Sequence, residues 1–316
     1  RPGVPDDERY KALARNYGLV FRNQRSDPMG LFAFASADGV HWRKLRDQPV
    51  LTEGKFDSHN IAFWSEHEGC YVCYLRDVAE HGDRRSRSIA RSRSDDFVNW
   101  SSPELMDMGD TPLEHLYTNA TQPYFRAPHI YIALPGRFFP GKQVLSEDEG
   151  RAMGVAMQPG GKVGYWADTS DAVFMTSRGG TRYDRTFMEA FVRPGRDRRN
   201  WTSRCNYPAC GIVQTARDEL SIYVERHNAQ ANKYLERLTL RLDGFASLHA
   251  GYGGGTMRSK PITFRGSHLE LNYATSAAGR VRVALHDAQD QPIPGYDLES
   301  CNPLIGDEIT REVSWS

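Results

Sequence analysis

Apolar residues in this chain alternate with polar ones over short spans instead of recurring every three or four positions. Runs at 31–35, 71–76, 130–134, 172–176, 220–225 and 235–242 are rich in Val, Ile, Tyr, Phe and Leu and are bounded by Gly, Asp or Asn. Short period-two runs with such boundaries predict β-strands, and helical periodicity is almost absent. The expected class is all-β.

One phrase recurs at the ends of these runs. SADGVHW (residues 36–42), SDDFVNW (94–100) and SRGGTRY (177–183) follow LFAFA, SIARSR and AVFMT. Each reads as a strand, a tight turn and an aromatic that opens the return strand. A short Ser or Asp side chain can close the turn on its own backbone, and Gly accepts positive φ. Further hairpins precede the second and third copies, and a fourth unit, ACGIVQTARDELSIYVERH, begins at Ala209. Units of strand, turn, strand, turn and strand, about 40–70 residues long, predict a β-propeller built from repeated sheets around an axis. Four blades are legible, over 5–50, 57–110, 114–195 and 204–245. The polar, Gly-rich insertion over 138–171 reads as a long rim loop.

Beyond the glycine-rich crossing at 251–255, KPITF, HLELNYAT and GRVRVALHDAQDQPIPGY alternate strictly and suit a small antiparallel β-sandwich. The expected domains are therefore a propeller over 1–248 and a sandwich, incomplete as seen, over 249–316.

Composition narrows the class of partner. The 316 residues carry 40 basic and 40 acidic side chains, so no global field draws in nucleic acid or an anionic membrane. The run DRRSRSIARSR (83–93) reads as a solvated strand face, with contacts to an anion as the alternative. No apolar run approaches the roughly 18 residues of a membrane span. The chain opens RPGVPDDE without Met; with a leader removed, a secreted or periplasmic location is expected. Its five cysteines are an odd number. Cys70 and Cys73 lie three apart on an alternating strand and face opposite ways, which suits buried packing thiols better than zinc.

The strand ends S-x-D-G-x-x-W and S-x-D-F-x-x-W, the hairpin G-x-Y-x-x-Y (69–74) and FDSHNIAFW before it resemble the five-bladed propeller glycoside hydrolases, including families 32, 43, 68 and 117. The trailing sandwich is typical of family 32, whose W-x-N-D-P-N-G and R-D-P signatures are absent. Where that group has five blades, four are visible; either a blade with one catalytic carboxylate precedes Arg1 or the count falls short. The resemblance implies cleavage of a glycosidic bond by acids from different blades at an axial funnel. One acid protonates the leaving oxygen and one carboxylate acts as base or nucleophile. A funnel that admits one chain end implies exo action on an oligosaccharide or polysaccharide.

Acids at the starts of first strands are Asp57, Glu114 and Glu8, the expected catalytic groups, with Glu114 as general acid. Glu189 and Glu225 lie near the fourth blade's start. Substrate-binding candidates are His59, Asn60, His115, Asn119, Asn206 and His227, and the cations Arg9, Lys11, Arg76 and Arg204. Trp64, Trp166 and Tyr117 could stack on a sugar ring. An arginine fork grips a planar oxyanion, so an acidic or sulfated sugar is expected. Sialidases are also propellers with a related turn, S-x-D-x-G-x-x-W, here matched with Gly39 one place early; their arginine triad would come from Arg9, Arg76, Arg137, Arg193 and Arg204. A carbohydrate-binding propeller without catalysis is the other alternative. No cofactor is expected; a structural calcium is compatible with such a funnel, although no acidic cluster argues for one.

Overall fold

The computed structural model describes residues 1–15 and 30–316. Its elements run β1 (Tyr10–Arg15), β2 (Leu31–Ser36), β3 (Arg43–Lys44), β4 (Ile61–Ser65), β5 (Cys70–His81), β6 (Arg84–Ser94), β7 (Glu104–Leu105), β8 (His115–Tyr117), β9 (Gln122–Tyr124), β10 (Ala127–Ala133) and β11 (Gly136–Phe139). A short helix, α1 (Glu147–Ala152), follows, and then β12 (Thr169–Ala172), β13 (Met175–Ser177), β14 (Val213–Ala216), β15 (Glu219–Arg226), β16 (Tyr234–Arg241), β17 (Glu270–Ala274) and β18 (Asp307–Glu312). The strands form small antiparallel sheets, ordered β1-β2-β3, β4-β5-β6-β7, β9-β10-β13, β8-β11-β12, β14-β15-β16 and β17-β18. The fold is all-β, as the alternation predicts.

Two compact units divide the chain: residues 1–212 with 222–238, and residues 213–221 with 239–316. In the first, β5 and β6 pair continuously from Tyr71↔Ser94 to His81↔Arg84, beyond the predicted run. The run predicted over 172–176 breaks in two. Val173 gives its N–H to the Pro135 carbonyl, and Pro135, with no N–H to give back, interrupts the ladder between β10 and β11 at the same level.

The repeated phrase closes on itself in two copies. Ser36 Oγ accepts the Asp38 and Gly39 amides, and Asp38 Oδ1 accepts the Val40 and His41 amides at 2.8 Å each. Ser94 and Asp96 repeat this on the amides of Asp96, Phe97, Val98 and Asn99. Trp42 and Trp100 each donate Nε1–H to the carbonyl three residues back, at 3.0 Å. Gly39 and Phe97 occupy the same place with φ of 76° and 72°. The third copy lacks the Asp: Gly179 and Gly180 make the turn with φ of 89° and 63°, and Tyr183 is buried in the core.

That core joins residues of three sheets, Leu116 of β8 among them. Val72 and Tyr74 of β5 pack with Tyr131 of β10, and with Val173, Met175 and Tyr183. Glu68, in the turn before β5, bonds Arg91 Nη2 at 2.5 Å, the Tyr131 hydroxyl at 2.8 Å and the Gly180 amide at 3.1 Å. Arg91 is buried and Arg87 half-buried, which corrects the expectation of a solvated face for 83–93. From Ser86 to Ser92 both faces of β6 are covered or partly covered.

Within the predicted loop over 138–171, SEDE folds as a capping box. Ser146 Oγ accepts the Glu149 amide, and the Glu149 carboxylate accepts the Ser146 amide, opening α1. Trp166 is buried against this helix, where a Cβ at Gly150 would lie 2.6 Å from its ring; it is a core residue, not a sugar platform.

All five cysteines are free thiols, with only Cys210 exposed. In the second unit, β17 and β18 pair, and Tyr273, Cys301, Leu304 and Val313 form a small core. KPITF carries no strand, with Ile262 and Phe264 exposed, and VRVALH contributes only single bridges such as Val281↔Leu304. Val281 and Val283 still pack against this core, but their segment pairs through isolated bridges and not a ladder.

Candidate functional site

Register in the β8-β11-β12 sheet sorts side chains onto two faces. Tyr117 pairs with Gly136 and His115 with Phe138, while Leu116 pairs with Arg137. Arg137 in turn pairs with Asp171, and Phe139 with Thr169. Successive strand residues point opposite ways, so His115, Tyr117, Gly136 and Phe138 share one face. Arg137, Phe139, Thr169 and Asp171 share the other.

On the first face, three guanidinium groups surround one phenol ring. The Cζ atoms of Arg76, Arg87 and Arg204 lie 5.6, 5.6 and 6.0 Å from the Tyr117 ring centroid. Tyr207 flanks the same ring at 5.8 Å. Gly136 leaves room for it, since a Cβ there would lie 2.3 Å from two Tyr207 ring atoms. Arg204 also lies over Tyr165, at 5.6 Å, and Arg87 over Phe138, at 5.1 Å.

Asp57 is the carboxylate in contact with this cluster: Arg76 Nη1 donates to its two oxygens at 2.5 and 2.6 Å. Its side chain is 48% exposed, against 17% for Arg76, so the acid remains open to a ligand. Arg87 and Arg204 have no carboxylate partner among the described residues. Three cationic groups against one carboxylate leave these residues net positive, and guanidinium forks match planar oxyanions.

The nearby histidines are neutral at pH 7. Burial, and then the Arg87 charge, lowers the pKa of His115; its Nδ1 accepts the Arg87 amide at 3.2 Å, so Nε2 carries the hydrogen. Burial also lowers the pKa of His59, whose Nδ1 is buried without a partner, as is the neighbouring Ser58 hydroxyl. Asn60 donates to the Phe56 and Ser58 carbonyls and so shapes the turn that carries Asp57. Backbone strain concentrates here: Thr118, next to Tyr117, has φ of 51°, and Arg204 has φ of 63°. A β-branched residue at positive φ is costly, and such outliers cluster at functional sites.

The second face holds an ion cluster. Arg137 binds Asp171 through Nε at 2.9 Å and Nη2 at 2.7 Å, and Glu114 Oε1 through Nη1 at 3.2 Å. Arg185, with its side chain 1% exposed, holds Glu114 Oε2 at 2.6 Å. Both Glu114 oxygens are thereby occupied as acceptors.

The remaining candidates do not join the Tyr117 cluster through any contact. Glu8 is paired with Lys11 at 2.6 Å and with Arg43 at 2.9 Å, and Arg9 lies over Tyr10. Asn119 is buried and accepts the Thr121 amide. Asn206 donates to the Ser170 and Asn200 carbonyls and accepts from Arg226. His227 is buried against Asp197, with Nε2 2.7 Å from its carboxylate. Glu225 pairs with Lys233, and Glu189 is exposed. Arg87 and Tyr207 are the members that sequence reading missed. Arg87 was in view as one of the alternating arginines of 83–93.

No protein-family model matches this sequence. No curated protein matches it either. Solved structures with a similar course of chain include one described as a glycoside hydrolase, 12% identical, with a TM-score of 0.44, covering 76% of this chain and 62% of that one. A second, described as a complex of BT0996 and RGII, is 11% identical with a TM-score of 0.41, covering 70% of this chain and 60% of that one. A third is an N-acetylgalactosamine deacetylase from F. plautii in complex with blood group B trisaccharide, 10% identical with a TM-score of 0.42, covering 67% of this chain and 64% of that one. This chain thus spans under two thirds of each.

Proposed function

We propose that this chain is a carbohydrate-active enzyme that binds an anionic sugar at Arg76, Arg87 and Arg204 and cleaves its glycosidic bond. In this reading the five sheets within 1–248 are blades of a five-bladed-type propeller, the stretch 114–195 holding two of them, and 249–316 is an appended β-sandwich. One observation carries the substrate class: three guanidinium groups converge on Tyr117 with Asp57 as their contacting carboxylate. A uronic acid carboxylate or a sulfate fits that charge, and the half-buried Tyr117 ring offers an apolar surface for the sugar. The His115 Nε2–H and His59 supply neutral hydrogen-bonding groups for hydroxyls.

Asp57, exposed and bonded by Arg76, is the group placed to activate water or to attack the sugar. Glu114, held by Arg137 and Arg185 on the opposite face, and Glu8, held by Lys11 and Arg43, are given no catalytic role in this arrangement. The same cluster favours a second chemistry, in which Tyr117 attacks the anomeric carbon, as the tyrosine nucleophile of sialidases does; the glycosidic C–O bond breaks, and Asp57 takes the phenolic proton and passes it to the departing oxygen.

Aryl glucuronides, galacturonides, sialosides and sulfated glycosides, beside their neutral counterparts, test the reading. Acidic substrates are cleaved and neutral ones are not. Arg204→Ala raises KM, whereas Asp57→Asn lowers kcat by roughly a hundredfold or more, the usual scale for a lost acid–base group. Loss of kcat in Tyr117→Phe selects the tyrosine route, and full activity there leaves the carboxylate route. Acidic glycans that bind without turnover indicate a lectin-like protein. Absence of both binding and turnover rejects the proposal.

A further inference from the structure

Behind the Tyr117 face, on the reverse side of the β8-β11-β12 sheet, lies a cavity of about 390 Å³. Its volume falls in the range of small-molecule sites. Phe139, Trp201 and Pro194 give it apolar walls, and Asp171, Thr169, Lys142 and Arg193 supply polar lining. The Trp201 ring is anchored by Nε1–H to the Gly195 carbonyl at 2.9 Å, so the wall is fixed in place.

Two features mark it as built for a ligand. Thr169 is 4% exposed, yet its hydroxyl has no hydrogen-bond partner, although buried hydroxyls are satisfied as a rule. Lys142 and Arg193 have no carboxylate partner among the described residues; the Lys142 ammonium lies 4.8 Å from the Phe139 ring centroid. The one lining carboxylate, Asp171, is already held by two bonds from Arg137. That fixes its orientation while leaving lone pairs free to accept hydroxyl hydrogens.

We propose that this cavity is a second saccharide site, distinct from the Tyr117 cluster, which takes one acidic pyranose. The sugar ring stacks on Trp201, its hydroxyls bond Asp171 and Thr169, and its carboxylate faces Lys142 and Arg193. An acidic polymer would thus have a holding point apart from the residues proposed to act on it. The site's existence depends on its own lining and not on the reaction assigned to the first face.

Titration calorimetry with methyl α-D-galacturonide and methyl α-D-galactoside tests it. Arg204→Ala protein serves as the background, so that the first site is weakened and the second dominates the titration. That protein binds the galacturonide, and binds the galactoside about tenfold more weakly, the equivalent of one lost polar contact. Adding Trp201→Ala abolishes binding, and Trp201→Phe, which keeps an aromatic wall, restores part of it. Adding Lys142→Ala brings the affinity for the galacturonide down to that for the galactoside. Thr169→Val weakens binding severalfold while leaving the melting temperature equal or higher, because it removes a hydroxyl without a partner. The site is refuted if Arg204→Ala protein binds neither sugar, if both Trp201 variants bind as well as their parent, or if Thr169→Val lowers the melting temperature. Equal affinity for the two sugars refutes the acidic class of ligand.

Discussion

Replacing Glu68 with alanine removes the carboxylate that neutralises Arg91, and the consequence can be worked from the contacts. The Arg91 side chain is 7% exposed and that of Glu68 19%, so the guanidinium would stay charged in a site with little access to water. Breaking a buried pair by deleting one partner costs about 3–5 kcal/mol. Tyr131 keeps its contact with Ser65, and the Gly180 amide lies at an exposed turn, so these lost bonds add little. With about 2.1 cal/mol/K of unfolding entropy per residue, a unit of this size loses roughly 2 °C per kcal/mol. Glu68→Ala should therefore lower the melting temperature by about 6–10 °C, read by circular dichroism. Removing the charge as well, in Glu68→Gln with Arg91→Met, should recover most of the loss, because well-packed apolar replacement of a buried pair is often neutral. A fall of less than about 2 °C in Glu68→Ala, or a double variant no better than the single, would show that Arg91 escapes to solvent and that the pair does not clamp the two sheets.

Gly136→Ala places a Cβ 2.3 Å from the Tyr207 ring; overpacking of this kind costs about 1–3 kcal/mol, and the displaced ring should weaken acidic-glycan binding at Tyr117, measured by calorimetry. Burial opposes ionisation of Asp96, but hydrogen bonds from Asn99 and Val98 outweigh it and hold its pKa at about 2, below the ordinary 3.8. A depressed folded-state pKa stabilises above the unfolded value, so this contribution is complete above pH 3.8 and fades towards pH 2. Asp96→Asn should flatten that part of the pH–stability curve, followed by urea unfolding. Burial pushes the Cys73 thiol up to about 12 and leaves Cys210 the one exposed cysteine; iodoacetamide on native protein should add a single label, at Cys210, by mass spectrometry.

Period-two alternation located the strands because it reports which side of a sheet is covered, and the runs at 31–35, 71–76 and 220–225 lie inside observed strands. It could not locate the break between β12 and β13, which depends on Pro135, in the link between β10 and β11. Nor could it give the depth of β6, whose arginines carry the same letters whether solvated or paired with Glu68. The helix at Glu147–Ala152 was legible in S-x-x-E, but a Gly-rich, polar surround masked it. Asp57, Arg76, His115 and Arg204 were nominated from their places at strand starts and ends, and they do share contacts with Tyr117 or with one another's partners. Arg87 joins them through the β5–β6 register, a long-range pairing that no local window contains. The cavity beside Trp201 was hidden for the same reason: Lys142, Thr169 and Trp201 are near only after the intervening segments fold.

The Ser-x-Asp turn draws every one of its closing bonds from within seven residues. Position four can therefore be filled by Gly39, at an open tip, or by Phe97, plugged into the core, while the backbone path stays the same. Such a self-sufficient corner is portable: it can be set at the rim of any hairpin, and the residue at its crest can be exchanged to decide whether that rim meets water or a neighbouring layer.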